Sequence, residues 1–151
     1  MLADAMGDAL KEASISVLEE AAFVMPLSAP PRPFRGEVLQ ARLAFKGPMS
    51  GTLLMAITPA AAARVASNIL GVDKVDHDAV PDAVGELLNM LAGCVIAEWF
   101  GASETCGLGL PATHSVVASD HEATFGKASL RVTLTTEEDE RIDVAALIDG
   151  A

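Results

Sequence analysis

Aromatic residues and cysteines are scarce in this sequence. The chain of 151 residues contains no tyrosine, one tryptophan, five phenylalanines and two cysteines. Hydrophobic residues still make up 51% of the chain, so we expect a core of leucine, valine, isoleucine, methionine and alanine. The two cysteines, Cys94 and Cys106, are too few for a disulfide framework. We interpret both as buried or incidental thiols of a reducing compartment.

Basic residues are also few. Ten lysines and arginines stand against 21 aspartates and glutamates, which gives a formal net charge of -11 at pH 7. Nucleic acids and anionic membrane surfaces repel a chain of this charge. Binding to either is therefore not expected, and a protein partner with a basic surface is the natural complement.

The chain lacks long hydrophobic runs, internal repeats and any linker long enough to separate a second domain. Its longest apolar run, 87–97, is interrupted by Asn89 and is too short to span a bilayer. Residues 1–4 include the acid Asp4 and no basic segment, which argues against a secretory signal peptide. The length suits a single hydrophobic core. We therefore predict one cytoplasmic domain that covers residues 1–151, without a membrane-bound part.

The first part of the chain predicts a helix followed by a hairpin. Apolar residues recur at helical spacing across 2–25, and three prolines within 28–33 then favour an extended linker. The apolar pattern predicts strands over 34–45 and 49–58. Because only the short turn 46–48 separates them, an antiparallel hairpin is expected.

Two helices are predicted after the hairpin. Thr58 supplies a capping hydroxyl, and Pro59 suits the first helical position. The helix then covers 60–70 and ends at Gly71. A longer helix is predicted over 78–100 from its apolar spacing.

Two more strands are predicted to close the chain, over 123–135 and 141–148. We interpret the acidic run 137–140 between them as a solvated hairpin tip. Strands and helices do not alternate singly, as they would in a parallel βαβ fold. The sequence therefore predicts an α+β fold in which an antiparallel sheet carries long helices on one face.

The predicted helix over 78–100 has two distinct sides when its residues are placed about 100° apart. The side expected to face the core carries the apolar residues Val80, Val84, Leu87, Leu88, Leu91 and Val95. The opposite side carries two acids, an amide and two glycines, namely Asp82, Gly85, Glu86, Asn89 and Gly93. We expect this second side to be open to solvent.

The two glycines are unusual inside a helix, because each costs about 1 kcal/mol relative to alanine. By removing bulk, Gly85 and Gly93 let another surface come close to Glu86 and Asn89, which project together three residues apart. That surface belongs either to a binding partner or to another helix of the same chain. Spacing alone leaves both alternatives open.

The stretch 82–93 resembles the signature helix of the CheC/CheX/FliY phosphatase family. That signature consists of Asp or Ser, three residues, Glu, two residues and Asn, and Asp82, Glu86 and Asn89 match it. The later pair Leu110–Pro111 also falls where the family has similar residues. The resemblance extends over most of the chain and implies a CheC/CheX-like fold.

One departure from the wider family concerns the first helix. Relatives of the CheC type carry a second Glu-x-x-Asn there, whereas here Glu12 is followed three residues later by Ile15. Neither Glu19 nor Glu20 has an asparagine at that distance. The chain therefore resembles the single-site CheX type, whose members are dimers, and the resemblance implies a homodimer.

The resemblance implies a phosphatase that hydrolyses the phospho-aspartate of a CheY-like response regulator, in chemotaxis or a related two-component pathway. Asn89 would orient the attacking water, because a carboxamide both donates and accepts hydrogen bonds. Glu86 would pair with the regulator's active-site lysine and so aim Asn89. Asp82 would add a contact or stabilise the helix start. The Mg2+ ion of the reaction belongs to the regulator, and no cofactor of this chain's own is expected.

The alternative is a non-catalytic module of the same fold that binds a response regulator or a flagellar or receptor component. Metal and thiol chemistry are not expected. His77, His114 and His121 lack the spacing of metal ligands. Cys94 is predicted on the buried side of its helix, where a thiol is inert.

Overall fold

The computed structural model describes residues 2–27, 29–101 and 105–150. Ser28, at the start of the predicted linker, and the first and last residues of the predicted domain lie outside the described residues. In chain order the elements are α1 Leu2–Ala22, β1 Pro26–Leu27, β2 Glu37–Lys46, β3 Gly51–Ile57, α2 Pro59–Leu70, a 3-10 turn His77–Ala79, α3 Val80–Phe100, β4 Gly107–Leu108, β5 Ala112–Val117, α4 Ala118–Gly126, β6 Leu130–Thr136 and β7 Arg141–Ile148.

The strands form one antiparallel sheet in the order β1-β6-β7-β3-β2, and the outer side of β2 pairs with both β5 and β4. The predicted hairpin of β2 and β3 is confirmed, with Leu43 opposite Leu53. β5 pairs with the first half of β2, so that Thr113 lies opposite Ala41. This pairing places β5 at the edge of the sheet, where it contacts α3.

The main core lies between the sheet and the three long helices α1, α2 and α3. Successive residues of β3 alternate between the two faces of the sheet. Leu53 and Met55 belong to the main core, whereas Leu54 packs with Phe125 of α4 on the other face. The predicted α+β fold, with long helices on one face of an antiparallel sheet, is confirmed, and the short helix α4 covers part of the opposite face.

α2 begins and ends where the sequence predicts. The hydroxyl of Thr58 accepts a hydrogen bond of 3.2 Å from the backbone N–H of Ala61, and Pro59 occupies the first turn. Gly71 follows the helix in the left-handed conformation, with a φ of 67°, and its N–H donates to the carbonyl of Ser67. These caps fix both ends of α2 above the sheet.

α1 ends three residues earlier than predicted, at Ala22 instead of Met25. The N–H of Val24 donates to the carbonyl of Leu18 at 2.9 Å, which closes the last turn of the helix. Phe23 between them takes a φ of 55°, the left-handed conformation in which a helix cannot continue. The chain then forms the short strand β1, which pairs with β6.

Two elements before β6 differ from the sequence prediction. Residues 123–126 belong to α4 and not to a strand, and β6 begins only at Leu130. α4 buries only His121 and Phe125, which is too few residues for a helical pattern to show in the sequence. β5 is absent from the prediction because its residues are mostly exposed and show little apolar alternation.

The second face of the sheet contains a buried polar cluster around Asp143 of β7. His121 and Asp143 are both 0% exposed, and His121 Nε2 lies 2.7 Å from Asp143 Oδ2. His121 Nδ1 lies 3.1 Å from Gln40 Nε2, so Nδ1 accepts from the amide and Nε2 donates to the carboxylate. Thr133 and Arg141 also donate hydrogen bonds to Asp143, at 2.9 and 2.8 Å. The carboxylate is therefore buried but fully partnered.

The acidic hairpin tip between β6 and β7 is anchored to the rest of the fold. Arg64 of α2 forms ion pairs with Glu137, at 2.8 Å, and with Glu140. The backbone N–H of Met25 also donates to the Glu137 carboxylate at 2.7 Å. Burial acts to lower the pKa of Arg64, but the hydrogen bonds and charges of Glu140 and Glu137 outweigh it and raise that pKa. The prediction of a solvated tip is confirmed for most of the run, since only Glu140 is half-buried, but it did not include these contacts.

One helix of the described chain, 77–100, is long and apolar enough to cross a membrane by length and composition. Its most apolar window has a mean hydropathy of 1.4, and 56% of that window is buried inside the fold. The core helix of a soluble protein passes the same test. Because α3 packs against α1, α2 and the sheet, the fold itself accounts for its apolar side.

Candidate functional site

α3 positions the residues of the candidate site. A 3-10 turn leads into the helix, Pro81 lies at its start, and its last backbone contact is the N–H of Gly101 donating to the carbonyl of Ala97. Asp82 lies in the first turn, where a negative charge is favourable because the helix dipole is positive there. The start of α3 is therefore well defined, and it fixes where the acidic side chains of the helix project.

The two sides of α3 are confirmed for most of the predicted residues. Val84, Leu87, Leu88, Leu91 and Val95 are 0% exposed and belong to the main core. On the opposite side Asp82, Glu86 and Gly93 are exposed, and Asn89 is half-buried. An acid and an amide three residues apart thus project from the same side of a helix whose other side is held by the core.

The polar side chains of the site have no partners within the described chain. No ion pair there involves Asp82 or Glu86. The side chain of Asn89 makes no hydrogen bond to another described residue. All three groups are therefore free to interact with a molecule outside the protein.

Gly85 does not lie on the exposed side, and that prediction is wrong. It is buried, and a Cβ at this position would lie 3.3 Å from Pro111 Cβ and 3.4 Å from Thr113 Oγ1. The glycine therefore allows close packing within the chain, as the alternative interpretation proposed, although the neighbour is the edge strand β5 and the residue before it, not another helix. A helical wheel cannot show this contact, because it depends on where β5 lies.

Gly93 behaves as predicted. It is exposed, and a Cβ at this position would meet nothing within 4 Å. No packing inside the described fold therefore accounts for a glycine here. The position leaves room for an outside surface one turn beyond Asn89.

A small groove runs beside Glu86. Its walls are the first two turns of α3, including Gly85, and the segment around Pro111 and Thr113, and its volume is about 140 Å³. The segment is held in place because the N–H of Gly109 donates to the carbonyl of Ala44 at 2.8 Å. Sequence reasoning on α3 alone missed this second wall, for which the only signal is the Gly-Leu-Pro at 109–111.

The other candidate groups do not form a second site. Cys94 is exposed, so the prediction that it is buried is wrong. Near the end of α3 the buried residues are Leu91, Ala92, Val95 and Ile96. Cys106 is half-buried, and both thiols are free. Among the described residues no hydrogen bond joins a cysteine to a histidine. The same part of the chain contains no group of three His, Cys, Asp or Glu residues that could hold a metal ion.

Comparison with known protein families matches residues 39–140 to the family described as Chemotaxis phosphatase CheX. The match covers more than half of the chain and includes α3 and both walls of the groove. No curated protein matches the chain.

Solved structures show the same fold. A chain of the CheX-CheY-BeF3-Mg2+ complex from Borrelia burgdorferi has a TM-score of 0.72 at 17% identity, covering 93% of this chain and 96% of that chain. A putative chemotaxis protein from Desulfovibrio vulgaris Hildenborough has a TM-score of 0.69 at 18% identity, covering 95% and 96%. CheX from Desulfovibrio desulfuricans has a TM-score of 0.67 at 20% identity, covering 93% of this chain and 98% of that chain. Because the family match includes the helix that carries Asp82, Glu86 and Asn89 and covers most of the chain, the chain belongs to the CheX family of chemotaxis phosphatases.

Proposed function

We propose that this protein hydrolyses the phospho-aspartate of a CheY-like response regulator and so terminates chemotaxis or related two-component signalling. One observation carries the proposal: Glu86 and Asn89 project together from α3, without partners in the described chain, beside an open groove. A polar pair of this kind can reach into another protein's active site. A non-catalytic binding module has less need of an unpartnered amide next to its acid.

Asn89 is proposed to position the attacking water. The water oxygen forms a bond to phosphorus while the bond between phosphorus and the aspartate oxygen breaks, which releases inorganic phosphate and a free carboxylate. The water protons leave with the phosphate, so the step needs no strong base on the enzyme. Phosphoryl transfer depends mostly on alignment and electrostatics. A carboxamide that fixes the water in line meets that requirement.

Glu86 is proposed to orient the two proteins. A carboxylate close to a phosphoryl group is repelled by it, so Glu86 is a poor candidate for activating the water. The family resemblance instead implies an ion pair with the regulator's active-site lysine. Asp82, one turn earlier on the same exposed side, adds to the acidic contact surface. Gly93 and the groove at Gly85 leave room for the regulator's backbone on either side.

The partner, the metal and the compartment follow from this reaction. Likeness of fold to a chain of a CheX-CheY complex supports a CheY-like partner. The Mg2+ ion that assists the reaction is supplied by the regulator, and this chain needs no cofactor of its own. We place the protein in the cytoplasm with the regulators, as a homodimer, as the resemblance implies.

Replacing Glu86 by glutamine tests the docking role. The change keeps the size of the side chain and removes its charge, so the affinity for the phosphorylated regulator is expected to fall by about tenfold. Affinity should also depend less on ionic strength than in the wild type. Titration calorimetry or fluorescence anisotropy at two salt concentrations measures both effects.

Glu98 offers a matched control, because it is exposed on the same helix outside the candidate site. Glu98→Gln removes one charge from α3 and is expected to leave the affinity and its salt dependence unchanged. Equal behaviour of the two variants would show that Glu86 does not dock the regulator.

Replacing Gly93 by alanine is expected to stabilise the fold and weaken docking at once. With open space around the position, the free energy of unfolding should rise by about 1 kcal/mol, because alanine favours the helix. The added methyl group should raise KM for the phosphorylated regulator, since it occupies room left for the partner's surface. Urea unfolding and steady-state kinetics measure the two effects.

Gly7→Ala on α1 is the control for this test, because a Cβ there makes an ordinary 4.0 Å contact with Leu130. It should show a similar gain in stability with no change in KM. A Gly93→Ala variant with unchanged KM would mean that the regulator does not approach this position.

A further inference from the structure

An apolar pocket continues the groove away from Glu86. Its volume is about 330 Å³, and its walls come from Leu39, Pro59, Ala63, Val80 and Ser115. It shares Pro81 and Thr113 with the smaller groove beside Glu86, so the two form one trough along the first turns of α3. α2 forms the wall opposite β5, and the capped start of α2 at Thr58 holds that wall in place.

The rim of this trough is acidic. Asp82 and Glu86 line its smaller end. The segment 73–78, which leads into α3, carries three more carboxylates against one lysine and one histidine. Glu37 adds a further exposed carboxylate at the mouth of the pocket. No ion pair among the described residues neutralises any of these acids. An apolar floor within an acidic rim complements an apolar side chain with basic neighbours.

We propose that this pocket is a second contact site for the response regulator, which inserts an apolar side chain flanked by basic residues. The proposal rests on the proposed function, because the regulator that reaches Glu86 and Asn89 also lies over the adjoining trough. The smaller groove contacts the region around the regulator's phosphorylation site, and the pocket contacts the regulator's surface next to that site. The pocket would therefore determine which regulators are dephosphorylated efficiently, without acting on the reacting atoms.

Filling the pocket tests this proposal. Ala63 is exposed on α2 and lines the pocket, so Ala63→Trp blocks it without changing the core. The substrates are CheY-like regulators from the same genome, phosphorylated with acetyl phosphate. We expect Ala63→Trp to raise KM by roughly tenfold, equivalent to about 1.4 kcal/mol of binding, with kcat within about twofold of the wild-type value.

Ala60→Trp is the matched control, because Ala60 is exposed on the same helix and does not line the pocket. It carries the same added bulk and should leave KM unchanged. Glu37→Lys should slow association at low ionic strength, whereas Glu12→Lys on α1 makes the same change of charge away from the trough and should not.

The outcomes separate this proposal from the proposed function. If the wild type is active and Ala63→Trp keeps the KM of Ala60→Trp, the pocket is not a contact site, while the phosphatase function stands. If the wild type accelerates the dephosphorylation of no regulator, the proposed function fails and the pocket proposal fails with it. A rise in KM confined to Ala63→Trp, with both variants equally stable to heat, supports the proposal.

Discussion

Asn89→Ala is expected to lower kcat for dephosphorylation by about 100- to 1000-fold, the effect of removing one positioned hydrogen-bonding group from a transition state. The side chain is half-buried on α3 and has no hydrogen bond within the described chain, so its loss should leave the fold intact. Because the proposed role acts mainly in the transition state, binding of the regulator should change little.

The measurement combines two assays of the same variant. Release of phosphate from the phosphorylated regulator gives kcat, and binding of the regulator held active with beryllium fluoride and Mg2+ gives the affinity. Asn89→Asp is a second variant of nearly identical shape, and it should also lose activity because a carboxylate only accepts hydrogen bonds and repels the phosphoryl group. Near-normal kcat in both variants would end the proposed mechanism.

Asp143→Ala is expected to lower the free energy of unfolding by about 3–5 kcal/mol, since it leaves buried partners without their carboxylate. Arg141 and Thr133 would lose hydrogen bonds of 2.8 and 2.9 Å, and the fully buried His121 would lose its 2.7 Å contact. The loss is a large share of the 5–15 kcal/mol that is typical of a whole domain.

Urea unfolding of the variant beside Asp149→Ala measures this effect. Asp149 is exposed at the end of β7. Asp149→Ala therefore also removes a carboxylate, but it leaves no buried group without a partner. A variant Asp143→Ala as stable as Asp149→Ala would show that the cluster does not hold the second face of the sheet together.

Because of the Asp143 carboxylate, the protein is expected to lose stability in acid. Burial acts to raise the pKa of Asp143, but the hydrogen bonds of His121 and Arg141 and the charge of Arg141 outweigh it and lower that pKa. The folded state therefore favours the ionised form, and this contribution is fully present above the unfolded pKa of about 3.9. It is lost as the pH falls through the lowered pKa of the folded protein. Asp143→Asn should lose less stability than the wild type between neutral pH and pH 3.

The buried side of α3 could be predicted from the sequence, because one repeating pattern of apolar residues defines it. Residues such as Leu87 and Leu91 recur at helical spacing and are buried, and the exposure of Glu86 on the other side follows from the same pattern. The caps of α2 were also predictable, since Thr58 and Gly71 act through local backbone hydrogen bonds.

The contacts of Gly85 and Cys94 could not be predicted, because they depend on elements far away in the chain. Gly85 is buried by Pro111 and Thr113, and β5 itself has no apolar pattern that predicts a strand. A helical wheel also assumes one constant buried side, whereas α3 changes its neighbours along its length and leaves Cys94 exposed.

The cluster around Asp143 illustrates a second limit of sequence reasoning. Its members come from β2, α4, β6 and β7, and each is an ordinary polar residue in its own segment. The sheet pairing, which places Thr133 opposite Asp143, and the position of α4, which places His121 beside Asp143, bring them together. The trough beside α3 also combines distant segments, because its walls are contributed by α2, α3, β2 and β5.

The proposed function requires that this protein dephosphorylates a response regulator through Asn89 and Glu86. The most direct test is the decay of each phosphorylated CheY-like regulator of the same genome, with and without a catalytic amount of the wild-type protein. We predict that the protein accelerates the decay of at least one regulator over many turnovers, and that Asn89→Ala does not. Decay of every regulator at its unassisted rate, or equal acceleration by the Asn89→Ala variant, would contradict the claim.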